Sequence, residues 1–296
     1  MRKWYFGAAL FCFLLVNFLM LARVGPVTTY FFIFIWWSYV LTVDSLLFWR
    51  RGNSLISGLK AKFLLLIISS YFFWEFFELV NSQLANWEYA GSPVDPAVGA
   101  FAYSPSWKFA FKFLAFGSVL PGVLETHDLL KHFCLGKRLS FLGWEKTARF
   151  FKWPRWGRPQ HVWRIVGLAM LIIPLCWPKY FFWMIWLAVI LLLDPGIEAN
   201  GGHSLFSELR RGNIRNLYRL LLTGLVCGLL WEGWNYWSGL KWVYDVPFVG
   251  DVKLFEMPLV GYLGFPVFAI ECYIFWEWLC CQGRKVLSLR SMLRGV

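Results

Sequence analysis

The chain has 296 residues, 59% hydrophobic and 21% aromatic, with only 16% charged, against roughly 25% charged in soluble domains. That balance leaves no room for a large soluble domain. The formal charge of +12 sits in short basic segments between apolar runs, a positive-inside pattern rather than a nucleic-acid-binding stripe.

Taken in chain order, the apolar runs approach the roughly 20 residues that cross a ~30 Å hydrocarbon core. The first, Trp4 to Leu21, follows Arg2 and Lys3. It exceeds the typical signal-peptide core of about 7–15 residues and lacks a small-x-small cleavage site, so it reads as a retained span. Further spans are expected near 29–49, 62–82 and 108–131, closing a first repeat over 1–131. A basic, Trp-rich linker over 132–161 interleaves Trp144, Trp153 and Trp156 with cations, which suits the headgroup region. Spans near 162–177, 179–195, 215–237 and 255–280 make a second repeat over 162–283, before a basic tail at 284–296. The expected class is an all-α polytopic membrane protein of about eight transmembrane helices, arranged as two parallel four-helix repeats.

The repeat rests on landmarks in a shared order. Tyr30, Phe31, Phe32, Ile35, Trp36, Leu41 and Asp44 match Tyr180, Phe181, Phe182, Ile185, Trp186, Leu191 and Asp194 at one constant offset. An Arg-Arg-Gly-Asn follows each aspartate, at 50–53 and 210–213, then an apolar run ending in Trp74-Glu75 or Trp231-Glu232. Next come Trp87-x-Tyr89 and Trp242-x-Tyr244, and finally Pro121 with Glu125 and Pro266 with Glu271. Threading eight helices puts every basic segment on one side, with both termini cytoplasmic. A bacterial inner membrane is the expected location. Membrane lipids, including anionic headgroups, are the expected partners, and nucleic acid is not.

An ionisable residue within a span costs about 2.5–3.5 kcal/mol on insertion scales, so the intramembrane acids are the candidate functional groups. Glu75 and Glu78 share a helix face at i, i+3, as do Glu232 and Asn235, with Tyr236 adjacent and Trp231 and Trp234 in a neighbouring stripe. Read this way, Glu75 pairs with Glu232 across the repeat and Glu78 with Asn235. Glu125 and Glu271 have apolar neighbours on both sides, whereas Asp44 and Asp194 read as end-caps or partners of nearby arginines. Histidines 127, 132, 161 and 203 are too scattered for a membrane di-iron site, and no aspartate-rich diphosphate motif, nucleophile elbow, P-loop or zinc motif occurs. Seven cysteines without a CxxC pair support neither a disulfide framework nor a zinc site. No cofactor or metal is expected.

Two similar halves, membrane glutamates and no metal motif give a chain that resembles the bacterial and archaeal lycopene cyclase domain proteins. The fungal membrane-bound terpene cyclases are similar in outline. The resemblance implies carboxylic acids that protonate an alkene or epoxide of an isoprenoid, with aromatic rings sheltering the cation by about 0.5–2 kcal/mol each. It assigns the acid role to Glu75, Glu232, Glu125 and Glu271, and substrate contacts to Glu78, Asn235, Tyr236, Trp231 and Trp234. Pro121 and Pro266 are each followed by one acid, four and five residues on, where the cyclases carry a closer pair. The expected activity is therefore a metal-independent cyclase- or isomerase-like enzyme acting on a hydrophobic lipid substrate. The alternative is a transporter or membrane scaffold whose acids form a proton path or a structural polar network.

Overall fold

The computed structural model describes residues 2–91, 105–133, 160–248, 250 and 252–293. The helices are α1 (Arg2–Leu21), α2 (Gly25–Thr29), α3 (Phe31–Arg51), α4 (Leu55–Leu59), α5 (Lys62–Leu84), α6 (Pro105–Gly117) and α7 (Val119–His132). After them come α8 (Gln160–Cys176), α9 (Pro178–Phe181), α10 (Ile185–Ala199), α11 (Leu205–Arg210), α12 (Arg215–Trp237) and α13 (Gly264–Leu293). Two small antiparallel ribbons modify the all-helical expectation. β1 (Trp87–Gly91) pairs with β2 (Leu240–Tyr244), and β3 (Lys253–Leu254) with β4 (Met257–Pro258).

Among the described residues six helical segments are long and apolar enough to cross a membrane: Arg2–Leu21, Phe31–Arg51, Lys62–Leu84, Ser106–His132, Pro178–Ala199 and Leu259–Arg284. This is the make-up of an integral membrane protein. The two other expected spans are helical, but α8 has only 17 residues and α12 carries too many polar side chains to join the six. Large apolar side chains such as Trp4, Phe11, Phe18, Phe72 and Leu79 stand exposed on α1 and α5, as helices facing lipid require. The linker expected at 132–161 lies almost wholly outside the described residues. The tail expected from 284 continues as helix to Leu293.

The chain divides into two compact units: Met1–His132 with Leu225–Leu263, and Phe133–Gly224 with Gly264–Val296. The first contains the expected first repeat together with the end of α12 and both ribbons. In it α1 packs along α3, α5 against α6, and α7 against α3 and α5. In the second, α10 packs against α8 and α13.

Within the first unit one span is broken. Pro121 has no N–H to offer the carbonyl of Gly117, and the helix interrupts at Ser118 between α6 and α7. Unpaired backbone groups at membrane depth are tolerated only where protein supplies partners. Here the Ser70 hydroxyl donates to the Phe116 carbonyl at 2.6 Å and accepts from the Leu120 N–H at 2.9 Å. Trp36 Nε1 donates to the Ser118 carbonyl at 3.0 Å and Trp37 Nε1 to that of Leu114 at 2.9 Å. Trp36 reaches across because position 122 is glycine: a Cβ there would lie 2.5 Å from its Cζ2. In the second unit, Gly224 of α12 lets the backbone of Phe265 and Pro266 approach so closely that no Cβ fits.

Asp44 and Asp194, both fully buried, fasten their spans to the short helix that follows. Asp44 Oδ1 accepts from the Ile56 N–H at 2.9 Å, at the start of α4, whose N-cap Ser54 accepts from Ser57 N–H. Asp194 accepts from the N–H groups of Leu205 (2.8 Å) and Phe206 (2.9 Å) and from the Ser204 hydroxyl (2.7 Å), at the start of α11. N–H groups of a helix's first turn have no partner within the helix, so a buried carboxylate is a natural acceptor. The two Arg-Arg-Gly-Asn sequences end different helices, with Gly52 closing α3 in the left-handed region (φ 81) and Gly212 following α11 (φ 75).

Candidate functional site

The C-terminal halves of α5 and α12 carry Glu78-x-x-Asn81 and Glu232-x-x-Asn235. The i, i+3 spacing puts each carboxyl and amide on one helix face, and both faces meet the β1–β2 ribbon. Asn81 Oδ1 accepts from the N–H groups of Asn86 (2.9 Å) and Trp87 (3.3 Å), and its Nδ2 donates to the Trp87 carbonyl (2.8 Å). Asn235 does the same to one residue of the other strand, accepting from Trp242 N–H (3.0 Å) and donating to its carbonyl (2.8 Å). Each amide acts as a strand neighbour, since a primary amide offers the donor and acceptor of a peptide group. The ladder then pairs Trp87 with Tyr244 and Tyr89 with Trp242.

The glutamates bind the same strands through side chains. Glu78 Oε1 accepts from Trp74 Nε1 (2.9 Å), Trp87 Nε1 (3.1 Å) and the Tyr89 hydroxyl (2.6 Å). Glu232 Oε1 accepts from the Tyr244 hydroxyl at 2.8 Å, and that hydroxyl accepts from Trp242 Nε1 at 2.7 Å. Glu78 and Asn81, rather than Glu75, thus make the contacts with β1 that Glu232 and Asn235 make with β2. Burial, then the adjacent Glu232 carboxyl, pushes the Tyr244 phenol well above the usual tyrosine range.

Glu232 is fully buried, and its Oε2 accepts no hydrogen bond among the described residues. Through Tyr244 and Trp242 it connects to a continuous group of rings. Trp231 contacts Phe32 (5.3 Å between centroids), Trp74 (5.3 Å), Trp36 (5.6 Å) and Trp242 (5.6 Å). Trp234 continues the group to Trp36 (5.1 Å) and Tyr39 (5.5 Å). A buried carboxyl beside several ring faces can hand a proton to an apolar molecule and oppose the positive charge that forms.

The other expected site residues lie elsewhere. Glu75 forms an ion pair with Lys112 of α6 at 2.8 Å. Tyr236 points to the β3–β4 hairpin, with Phe255 at 5.6 Å and the Lys241 ammonium 5.1 Å from its ring centre. Glu125, on α7, is fully buried, and among the described residues neither carboxyl oxygen meets a hydrogen-bond partner. Glu271 belongs to the second unit, fully buried, with neither oxygen hydrogen-bonded among the described residues. The step from proline to acid is one residue longer for Glu271 than for Glu125, and one residue turns a helical side chain by about 100°. The two glutamates therefore occupy different faces of their helices relative to the proline.

The residues that sequence reasoning missed are Asn81, Tyr244 as the direct partner of Glu232, and Trp242 behind Tyr244. The shared Glu-x-x-Asn would have found Asn81. Among the described residues no three His, Cys, Asp or Glu side chains gather as a metal site. No family model, curated protein or solved structure matches the chain.

Proposed function

We propose that this integral membrane protein acts on an isoprenoid or another apolar lipid by carboxylic-acid catalysis, with Glu232 as the acid. The observation that carries this reading is the Glu232 carboxyl: buried, held at Oε1 by Tyr244, without a hydrogen bond at Oε2 among the described residues, and linked through Tyr244 to the ring of Trp242, which packs on Trp231. In its acid form Glu232 would deliver the Oε2 proton to a substrate double bond, leaving a carbocation on the substrate and a carboxylate on the protein. The rings oppose that charge. Loss of a proton from a neighbouring carbon back to Glu232 then closes an isomerisation or cyclisation with no net gain or loss of protons. Tyr244 is a positioning residue, since it holds the carboxyl without touching substrate. Glu78 and the two asparagines, whose hydrogen bonds are spent on the ribbon, shape the site rather than bind substrate.

In this reading the chain crosses a bacterial inner membrane eight times, as two parallel repeats. The six apolar helices are joined by α8 and α12, and the Arg-rich loops with both termini are cytoplasmic. Asp245→Cys would then react with an impermeant thiol reagent from outside, and Arg211→Cys only after permeabilisation. The reverse pattern overturns the topology.

The decisive experiment compares lipid extracts of a strain lacking the gene, complemented with wild type or with Glu232→Gln at equal membrane abundance. The catalytic reading expects wild type alone to restore the missing lipid. Full restoration by the glutamine variant overturns it. A second reading, a membrane scaffold, draws on Glu78, whose single oxygen takes three donors. It expects identical extracts and loss of function in ribbon variants such as Asn81→Ala.

A further inference from the structure

Asp44 and Asp194 both cap a short helix, but they differ in what remains. Asp194 is closed: one hydroxyl and two backbone N–H groups occupy it at 2.7–2.9 Å. Asp44 is open, with one backbone N–H on Oδ1 at 2.9 Å and a long contact from the Tyr5 hydroxyl to Oδ2 at 3.3 Å. Glu125, the group with no hydrogen bond of its own, stands beside it. Its carboxyl is fully shielded from solvent, with neither oxygen hydrogen-bonded among the described residues. Arg51 lies two turns from Asp44 on one face of α3 and Asp128 one turn from Glu125 on one face of α7, so the Arg51–Asp128 ion pair turns the two carboxyls toward each other.

Two carboxylates cannot both keep their charge side by side in a buried place, and each offers only acceptors. A proton resolves both conflicts, since it turns one carboxyl into a donor and removes one charge. We propose that Asp44 and Glu125 form a proton-binding site, a carboxylic acid–carboxylate pair that holds one exchangeable proton and one negative charge. The site is separate from Glu232 and does not depend on the catalytic reading.

The groups around it fit a single-proton site. From α1 comes Tyr5, and from α3 come Tyr39 and Arg51, the latter committed to Asp128 of α7 at 2.6 Å. Tyr39 shares a hydrogen bond of 2.9 Å with Thr126, and Cys227 of α12 lies beside them. The lone cation is already paired, so the dyad retains no ammonium or guanidinium of its own among these neighbours. Tyr39 also lies against Trp36 and Trp234, so one side chain borders both the dyad and the aromatic group around Glu232.

The test is infrared spectroscopy of the full-length protein in lipid vesicles, with carbon-13 glutamate identifying glutamic-acid carbonyl bands through a pH titration. Wild type should show a protonated-glutamate band that Glu125→Gln removes. Asp44→Asn keeps an acceptor for the Ile56 N–H and so preserves the start of α4. It takes away the neighbouring carboxyl, and the midpoint of the Glu125 band should move. Asp194→Asn, at the closed counterpart, should leave that band where it is. An unchanged band in Glu125→Gln, or an unmoved midpoint in Asp44→Asn, overturns the proposal.

Discussion

Replacing Ser70 with alanine isolates the cost of the broken span. Ser70 is fully buried, and its hydroxyl stands between the Phe116 carbonyl and the Leu120 N–H, at 2.6 and 2.9 Å. In an unbroken helix those two groups would bond each other. Alanine removes the bridge, and a buried backbone group left unpaired costs about 1–3 kcal/mol, so losing both costs about 2–6 kcal/mol. Ser45 is the control: equally buried, it donates to the Thr42 carbonyl in its own helix at 3.0 Å, and Ser45→Ala should cost about 0.5–1.5 kcal/mol. The assay is reversible unfolding in mixed micelles against the mole fraction of denaturing detergent, comparing the two variants with wild type. Should Ser70→Ala cost no more than Ser45→Ala, the break would be closing on itself, Leu120 N–H returning to Phe116, and the bridging argument would be wrong.

Other outcomes follow from equally local geometry. Gly122→Ala drives a Cβ into the Trp36 ring, which is fixed by its bond to Ser118, and should cost about 1–3 kcal/mol as overpacking, with a shift in tryptophan emission. Asn235→Ala leaves both backbone groups of Trp242 without their side-chain partner. Amide exchange over 240–244 should quicken about tenfold or more, since each lost bond is worth about 1 kcal/mol, and unchanged exchange would show that the ladder alone holds the ribbon. Tyr244→Phe tests a pH dependence. Because the native phenol holds its proton more tightly than an unfolded tyrosine, its contribution is complete below about pH 10 and declines as pH rises above it. Wild type should therefore lose stability above that point more steeply than the phenylalanine variant, and parallel curves would contradict this.

Sequence patterns made the helices legible because lipid-facing and core-facing positions are both apolar, which yields long runs without ambiguity. They did not bring out the Glu-x-x-Asn pattern, for an equally physical reason. Trp74-Glu75 and Trp231-Glu232 catch the eye as dipeptides, whereas the common geometry depends on a carboxyl and an amide one helical turn apart, at Glu78 with Asn81 and Glu232 with Asn235. Trp87-x-Tyr89 and Trp242-x-Tyr244 stood out as landmarks, yet strands of five residues are too short to separate from an interfacial loop by alternation. The bridge at Ser118 was invisible, since its key hydroxyl comes from Ser70 on another helix. Nor could the isolation of Glu271 be read, because its difference from Glu125 is one residue of helical phase.

The β1–β2 ladder also sets a timetable for biogenesis. Its first strand emerges with α5, but its partner is synthesised only after α8, α10 and most of α12 have been made. Until then β1 presents an unpaired edge and Asn81 grips a strand with no neighbour, a state open to wrong pairing and proteolysis. A nascent chain halted before Leu240 would carry every residue of α5 that the ribbon needs and none of the strand that completes it. Maturation of the first unit thus waits on synthesis of the chain through Tyr244, well after α5 is made.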